Sequence, residues 1–238
     1  MINENTKNTP SEENEFDLIR KQIAAGEDVV IILYTLTEYT EQKMQSVLLW
    51  ILQKYQKEEL YNSMFSVLFE VVVNGTRANI KKIFFEEQGL DITNTDHYNE
   101  GMKLFKEKIT KKMFLDYGDK TKQKGKEVRI KFQHSPNGVR IEVENNTEIL
   151  PIEEERIRSK LREGLKHEDI LSYYSANADS TEGEGIGLVL SLLLLKAENL
   201  DPSLFRIGTK DGVTFSRIEV PFTDGFVSKR NINNKPPL

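Results

Sequence analysis

The sequence predicts an α/β protein built from amphipathic helices and β-hairpins, and three observations carry that expectation. Glu127 to Gln133 and Val139 to Glu144 alternate apolar and polar residues on either side of the turn Ser135-Pro-Asn-Gly138, the mark of a hairpin with one buried face. Leu204 to Gly208 and Val213 to Phe222 repeat the pattern around Lys210-Asp-Gly212. Between Leu60 and Phe85, the residues Leu60, Met64, Val67, Leu68 and Val71 recur at three- and four-residue spacing, as on the buried side of a long helix.

Composition bounds the remaining choices. The chain has 238 residues, 38% of them hydrophobic and 30% charged, with a net charge of −5. That length suits one domain with an N-terminal extension, and the balance suits a globular protein with no general affinity for nucleic acid. Cysteine is absent and there are three scattered histidines, which excludes disulfides and thiolate metal sites and argues against a histidine zinc site. No signal peptide is evident, and the longest apolar run, Leu188 to Leu195, is far too short to span a membrane. A cytoplasmic location with no membrane partner is therefore expected.

In order along the chain, residues 1–14 are polar and expected to form a disordered leader. Residues 15–58 form an extension: a short helix from Glu15, a strand over Asp28 to Tyr34, and a helix with Met44, Val47, Leu48, Ile51, Leu52 and Tyr55 on one face. That face packs either on this domain or on a second subunit of a homodimer, and the sequence leaves both open. Residues 59–222 form the main domain, and residues 223–238 are expected to be a flexible tail.

Within the main domain the long helix has an unusual second face. Glu70, Asn74 and Arg77 are four and three residues apart, so a carboxylate, an amide and a guanidinium share one side. A solvated polar face is the bland alternative, but Gly75 argues against it. A glycine inside a helix costs about 1 kcal/mol relative to alanine and calls for a reason such as close approach of another group. Gly101 to Tyr117 reads as a further helix, with nine lysines from Lys103 to Lys126 that form either a solvated face or a partner-binding or phosphate-attracting patch. Pro151 opens a helix to Leu165, with Glu153, Glu154 and Glu155 suiting its dipole. Lys166 to Glu182 reads as a polar, irregular cover.

That cover leads into Asp179-Ser-Thr-Glu-Gly183-Glu-Gly185-Ile-Gly187-Leu188. Three glycines at alternate positions run into an apolar helix, so backbone N–H groups and a helix N-terminus offer themselves to an anion. The spacing is not that of a dinucleotide-binding fingerprint, and no strand leads into it.

In this order and spacing the sequence resembles the histidine-kinase-like ATPase superfamily, which includes gyrase, Hsp90, histidine kinases, MutL and the anti-sigma-factor serine kinases. The resemblance covers about Glu59 to Phe222. Gly183-Glu-Gly185-Ile-Gly187-Leu188 looks like the second glycine box, whose amides embrace the ATP phosphates. Ser172-Tyr-Tyr-Ser-Ala precedes it like the aromatic part of the ATP lid, and Gly212-Val-Thr214-Phe215 with Ile218-Glu-Val-Pro221 resembles the terminal strand pair.

Glu70-Val-Val-Val-Asn74 resembles the family's N box. The resemblance implies Asn74 as a Mg²⁺ ligand, Arg77 as a phosphate contact, and Glu70 as the general base found in gyrase-like ATPases and anti-sigma serine kinases. Asn145-Asn-Thr-Glu-Ile149 stands where the first glycine box has Asp-x-Gly-x-Gly, so Asn145 takes the place of the adenine-reading aspartate, without its charge.

The resemblance implies an α/β (α+β two-layer sandwich) fold, a mixed β-sheet covered on one face by helices, with ATP and Mg²⁺ between the N-box helix and the lid. Catalysis would rest on Glu70, and nucleotide binding on Asn74, Arg77, Asn145, Gly183, Gly185, Gly187, Leu188 and Thr214. Two functions are expected in turn: a stand-alone regulatory ATPase or serine kinase in signal transduction acting on a protein partner, or a nucleotide-gated binding module with negligible turnover. His97, His134 and His167 lie within the match, so none suits a phosphoacceptor on an upstream helix.

Overall fold

The computed structural model describes residues 10–176 and 185–229. It is a two-layer α+β sandwich: a five-stranded sheet carries helices on one face. The strands are β1 (Val29–Leu33), β2 (Val128–Ser135), β3 (Gly138–Asn145), β4 (Phe205–Lys210) and β5 (Val213–Pro221), in the order β1-β2-β3-β5-β4. Every pairing is antiparallel, so the expected mixed sheet is corrected. Two hairpins supply β2–β3 and β4–β5, and the crossover from β3 enters at the far edge, which lets β5 return antiparallel beside β3. At the second hairpin Asp211 and Gly212 both have positive φ, as a two-residue turn between right-twisted strands requires.

Period-two alternation decides which face is buried. Val29, Ile31 and Leu33 of β1, Val128, Ile130 and Phe132 of β2, and Val139, Ile141 and Val143 of β3 all point to the helical layer. That layer comprises α1 (Pro10–Ala25), α2 (Glu38–Lys54), α3 (Tyr61–Glu87), α7 (Pro151–Lys166) and α9 (Ile186–Ala197). Met44, Val47, Leu48, Ile51 and Leu52 of α2 are buried in the same core as the α3 stripe, so the periodic face of α2 packs on its own chain. β1 closes the sheet's edge against β2.

A second, smaller core lies beyond the end of the sheet. Residues 95–123 form three helices, α4 (Thr95–Lys108), α5 (Lys111–Asp116) and α6 (Gly118–Gln123), where one helix over Gly101 to Tyr117 was expected. Thr110 breaks the run by accepting a hydrogen bond from the Met113 N–H as an N-cap, the preference of a short hydroxyl side chain. Phe84, Phe85, Tyr98, Phe105, Met113 and Tyr117 pack together there.

Three boundaries fall elsewhere than the sequence suggests. The first helix begins at Pro10, inside the stretch read as a leader. Ile170–Ala176 forms a short helix, α8, within the stretch read as an irregular cover; Asp169 accepts from the Ser172 N–H, and Tyr173, 3% exposed, is buried against Val189 and Leu193. Residues 223–229, read as tail, fold across the outer sheet face. Ser228 donates to Glu219, and Lys229 Nζ pairs with Glu142 at 2.6 Å.

Candidate functional site

Helix α3 is the axis of the site, because its interior contains Gly75. A Cβ at that position would come within 3.3 Å of the Asn145 Oδ1 and 3.5 Å of Val128. Glycine therefore lets the end of β3 lie directly on the helix, which is the close approach its placement implied. Asn74 immediately precedes Gly75, and Glu70 lies about one turn earlier. The Asn74 Nδ2 donates to the Glu70 Oε1 at 2.9 Å, fixing the amide so that its oxygen is turned away from the carboxylate. Arg77, exposed, follows on the same side.

The N-terminus of α9 meets that face. Gly185 sits at the N-cap with φ of 79°, a left-handed conformation that costs other residues energy. Gly187 touches Glu70: a Cβ on Gly187 would overlap the carboxyl group. The first N–H groups of α9 have no partner inside the helix, and Gly187 in that first turn lies against Glu70.

Between these elements lies a cavity of about 570 Å³. Glu70, Asn74, Arg77, Asn145, Gly185, Gly187, Leu188 and Thr214, drawn from four separate parts of the chain, all line it. Gly183, the remaining residue expected in the site, lies outside the described residues.

The segment after β3 lacks the glycines of the expected box, and hydrogen bonds hold it instead. Asn145, 4% exposed, donates from Nδ2 to the Thr147 carbonyl at 3.2 Å. The same carbonyl accepts from the Thr214 hydroxyl at 2.6 Å, and the Thr147 hydroxyl donates to the Asn79 Oδ1 at 2.7 Å. Asn146 accepts from the Glu127 N–H and donates to the Gly125 carbonyl. With Nδ2 committed to Thr147, the Asn145 amide presents its oxygen toward Gly75. Asn145 and Thr214 are direct cross-strand partners.

Several lining residues escaped the sequence reading. Lys81, 8% exposed, forms an ion pair with Glu153 of α7, and Tyr98 of α4 donates to the same carboxylate at 3.1 Å. Burial, followed by the neighbouring Glu153 carboxylate, pushes the Tyr98 phenol up to about 12, so it stays a donor at neutral pH. Glu153 also accepts from the Leu150 N–H at the start of α7. Lys81 continues the 70, 74, 77 progression by another four residues, a signal that was legible. Tyr98 and Glu153 carried none, since their role depends on elements distant in sequence. The lining residues include five cations, Arg77, Lys81, Lys106, Arg156 and Lys160, against three carboxylates, Glu70, Glu148 and Glu153, in a protein whose net charge is −5.

Among the described residues no three histidine or carboxylate side chains gather as a metal site, and no helix is long and apolar enough to cross a membrane. The chain is similar to an uncharacterized protein of Treponema pallidum (strain Nichols), 30% identical over 203 residues. The match takes in 85% of this chain and 39% of that protein, so the chain spans about two fifths of the length of the curated relative it matches. No family model and no solved structure matches the chain.

Proposed function

We propose that the cavity binds ATP with Mg²⁺ and that the protein is a regulatory ATPase or serine kinase of the histidine-kinase-like type, acting on a protein partner in cytoplasmic signalling. One observation carries the reading. Residues picked out by a glycine box, an N box and a terminal strand pair, up to 144 positions apart if Glu70 and Thr214 are taken as the ends, line a single cavity.

The residues fit the ligand on physical grounds. Arg77 and Lys160, whose side chain lies against Gly185, suit a polyphosphate, and the N–H groups of the α9 N-terminus suit its oxygens. Mg²⁺ dehydrates reluctantly and is held by one or two protein oxygens plus substrate phosphates. Asn74 Oδ1 offers one such oxygen, with Glu70 beside it, and a larger carboxylate cluster is not needed. The bound cation would neutralise phosphate charge as it develops. Glu70, hydrogen-bonded to Asn74 and seated against Gly187, would orient a water or hydroxyl nucleophile and accept its proton.

A second reading, a nucleotide-gated binding module with little turnover, is favoured by one feature. Asn145 replaces the charged acceptor expected at the base, which weakens recognition of the adenine amino group. Calorimetric titration with Mg²⁺ATP tests the shared premise of both readings. Saturable binding is expected, and its absence at millimolar nucleotide would reject them. Measuring turnover of the same samples then separates enzyme from binding module.

A further inference from the structure

One wall of the cavity comes from helix α4, which lies between α3 and β2 in the chain and outside both the glycine box and the N box. Met102 and Phe105 of α4, and Ile109 at its C-cap, recur at helical spacing and line the cavity. Two devices hold the wall in place. Gly101 lets the α4 backbone sit on α3, since a Cβ there would overlap the Phe85 ring. Tyr98 ties the start of α4 to Glu153, which is itself paired with Lys81.

The geometry also says which end of the cavity α4 bounds. From Glu70 to Gly75 and on to Lys81, α3 advances by about 7.5 Å and then about 9 Å at about 1.5 Å per residue. Gly187 contacts the first of these positions and Asn145 the second. From Asn145 the chain then runs along α3 away from Gly187: Thr147 bonds Asn79, and Leu150 packs in the small core with Ile80, Phe84 and Phe105. α4 meets the cavity on that side, opposite the anion-seeking α9 N-terminus.

We infer that α4 is the base-side wall of the nucleotide site, with Met102 and Ile109 as its apolar plate and as determinants of base selectivity. This rests on the nucleotide reading above. An apolar plate suits the faces of a purine, which stack without hydrogen-bonding. It also supplies contact that the uncharged Asn145 amide does not, so base recognition here would depend more on packing than on a charged acceptor.

The test uses the full chain and an 8-azidoadenine analogue of ATP with Mg²⁺. On irradiation, covalent label is expected in the peptide spanning residues 95–109, suppressed by excess ATP. Met102→Trp, which fills the cavity from a half-buried position, should weaken ATP binding about tenfold or more. Its melting temperature without ligand should stay near that of the parent, and Leu115→Ala, at an exposed position on α5, should bind like the parent. If Met102→Trp fails to fold, Met102→Ala should weaken ATP binding several-fold. Label confined to residues 70–78 and 145–149, together with unchanged affinity in the Met102 variants, would overturn the inference while leaving the nucleotide reading intact. Absence of Mg²⁺ATP binding by the parent would overturn both.

Discussion

The carboxylate of Glu70 lies directly against Gly187, so closely that the α9 glycine leaves no room for even a methyl group. A residue in the middle of one helix thereby meets the first turn of another, 117 positions later. Glycine to alanine inside a helix ordinarily stabilises by about 1 kcal/mol. At position 187 the sign should reverse: Gly187→Ala is expected to destabilise by about 1–3 kcal/mol through overpacking. Shortening the neighbour in Glu70→Ala/Gly187→Ala should restore most of the loss. Urea denaturation of the four proteins measures this, and a stabilising Gly187→Ala would show that the two groups are not in contact.

The role proposed for Glu70 predicts a split between binding and chemistry. Glu70→Gln preserves the side chain's size and its acceptor for Asn74, so Mg²⁺ATP should bind nearly as in the parent. Turnover, if the protein is an enzyme, should fall on the order of a hundredfold or more. Equal rates for parent and variant would remove Glu70 from catalysis and favour the binding module.

Asn145→Asp has opposite expected effects with and without nucleotide. Its Nδ2 now donates to the Thr147 carbonyl, and a buried carboxylate there would face that carbonyl with no proton to give. Without ligand the variant should lose about 1–3 kcal/mol. With ATP the charged acceptor strengthens the contact to the adenine amino group, so part of the loss should return with ATP and not with GTP. Thermal denaturation in each nucleotide reads this directly; equal shifts for both would mean that position 145 does not read the base.

Breaking the pair between Lys81 and Glu153 should be severe. Lys81→Met leaves a largely buried carboxylate with Tyr98 as its remaining donor on α4, at an expected loss of about 3–5 kcal/mol. Lys81→Met/Glu153→Leu should be less destabilised than the single variant, because no uncompensated charge remains. Chemical denaturation decides the order of stabilities.

The outer sheet face makes a prediction about acid. Burial opposes ionisation of Glu219, yet hydrogen bonds from Ser228, the Lys229 N–H and Arg140 outweigh it and hold its pKa below the ordinary 4.5. A depressed carboxylate stabilises the fold above its unfolded pKa, and that contribution is lost as pH falls through the folded value. Stability should therefore decline below about pH 4.5. Glu219→Gln should be less stable at pH 7 and show a shallower decline, as urea midpoints between pH 3 and 7 would reveal; an unchanged acid limb would assign the decline to other groups.

What the sequence determined by itself was periodic and local. The two hairpins follow from alternation and short turns, and the alignment of Glu70, Asn74 and Arg77 follows from 3.6 residues per turn. Gly75 announced a close neighbour without naming it. Only the tertiary structure decided that the neighbour is Asn145, that Gly187 seats Glu70, and that Lys81 reaches Glu153 across 72 residues. It also decided that the sheet is antiparallel throughout and that residues 223–229 are strapped to its outer face. Such contacts depend on which elements come to lie side by side, and no local spacing encodes that. Polar residues such as Ser228 and Lys229 look like tail in sequence because composition reports how much apolar surface can be buried, while their order here comes from hydrogen bonds to carboxylates that the fold supplies.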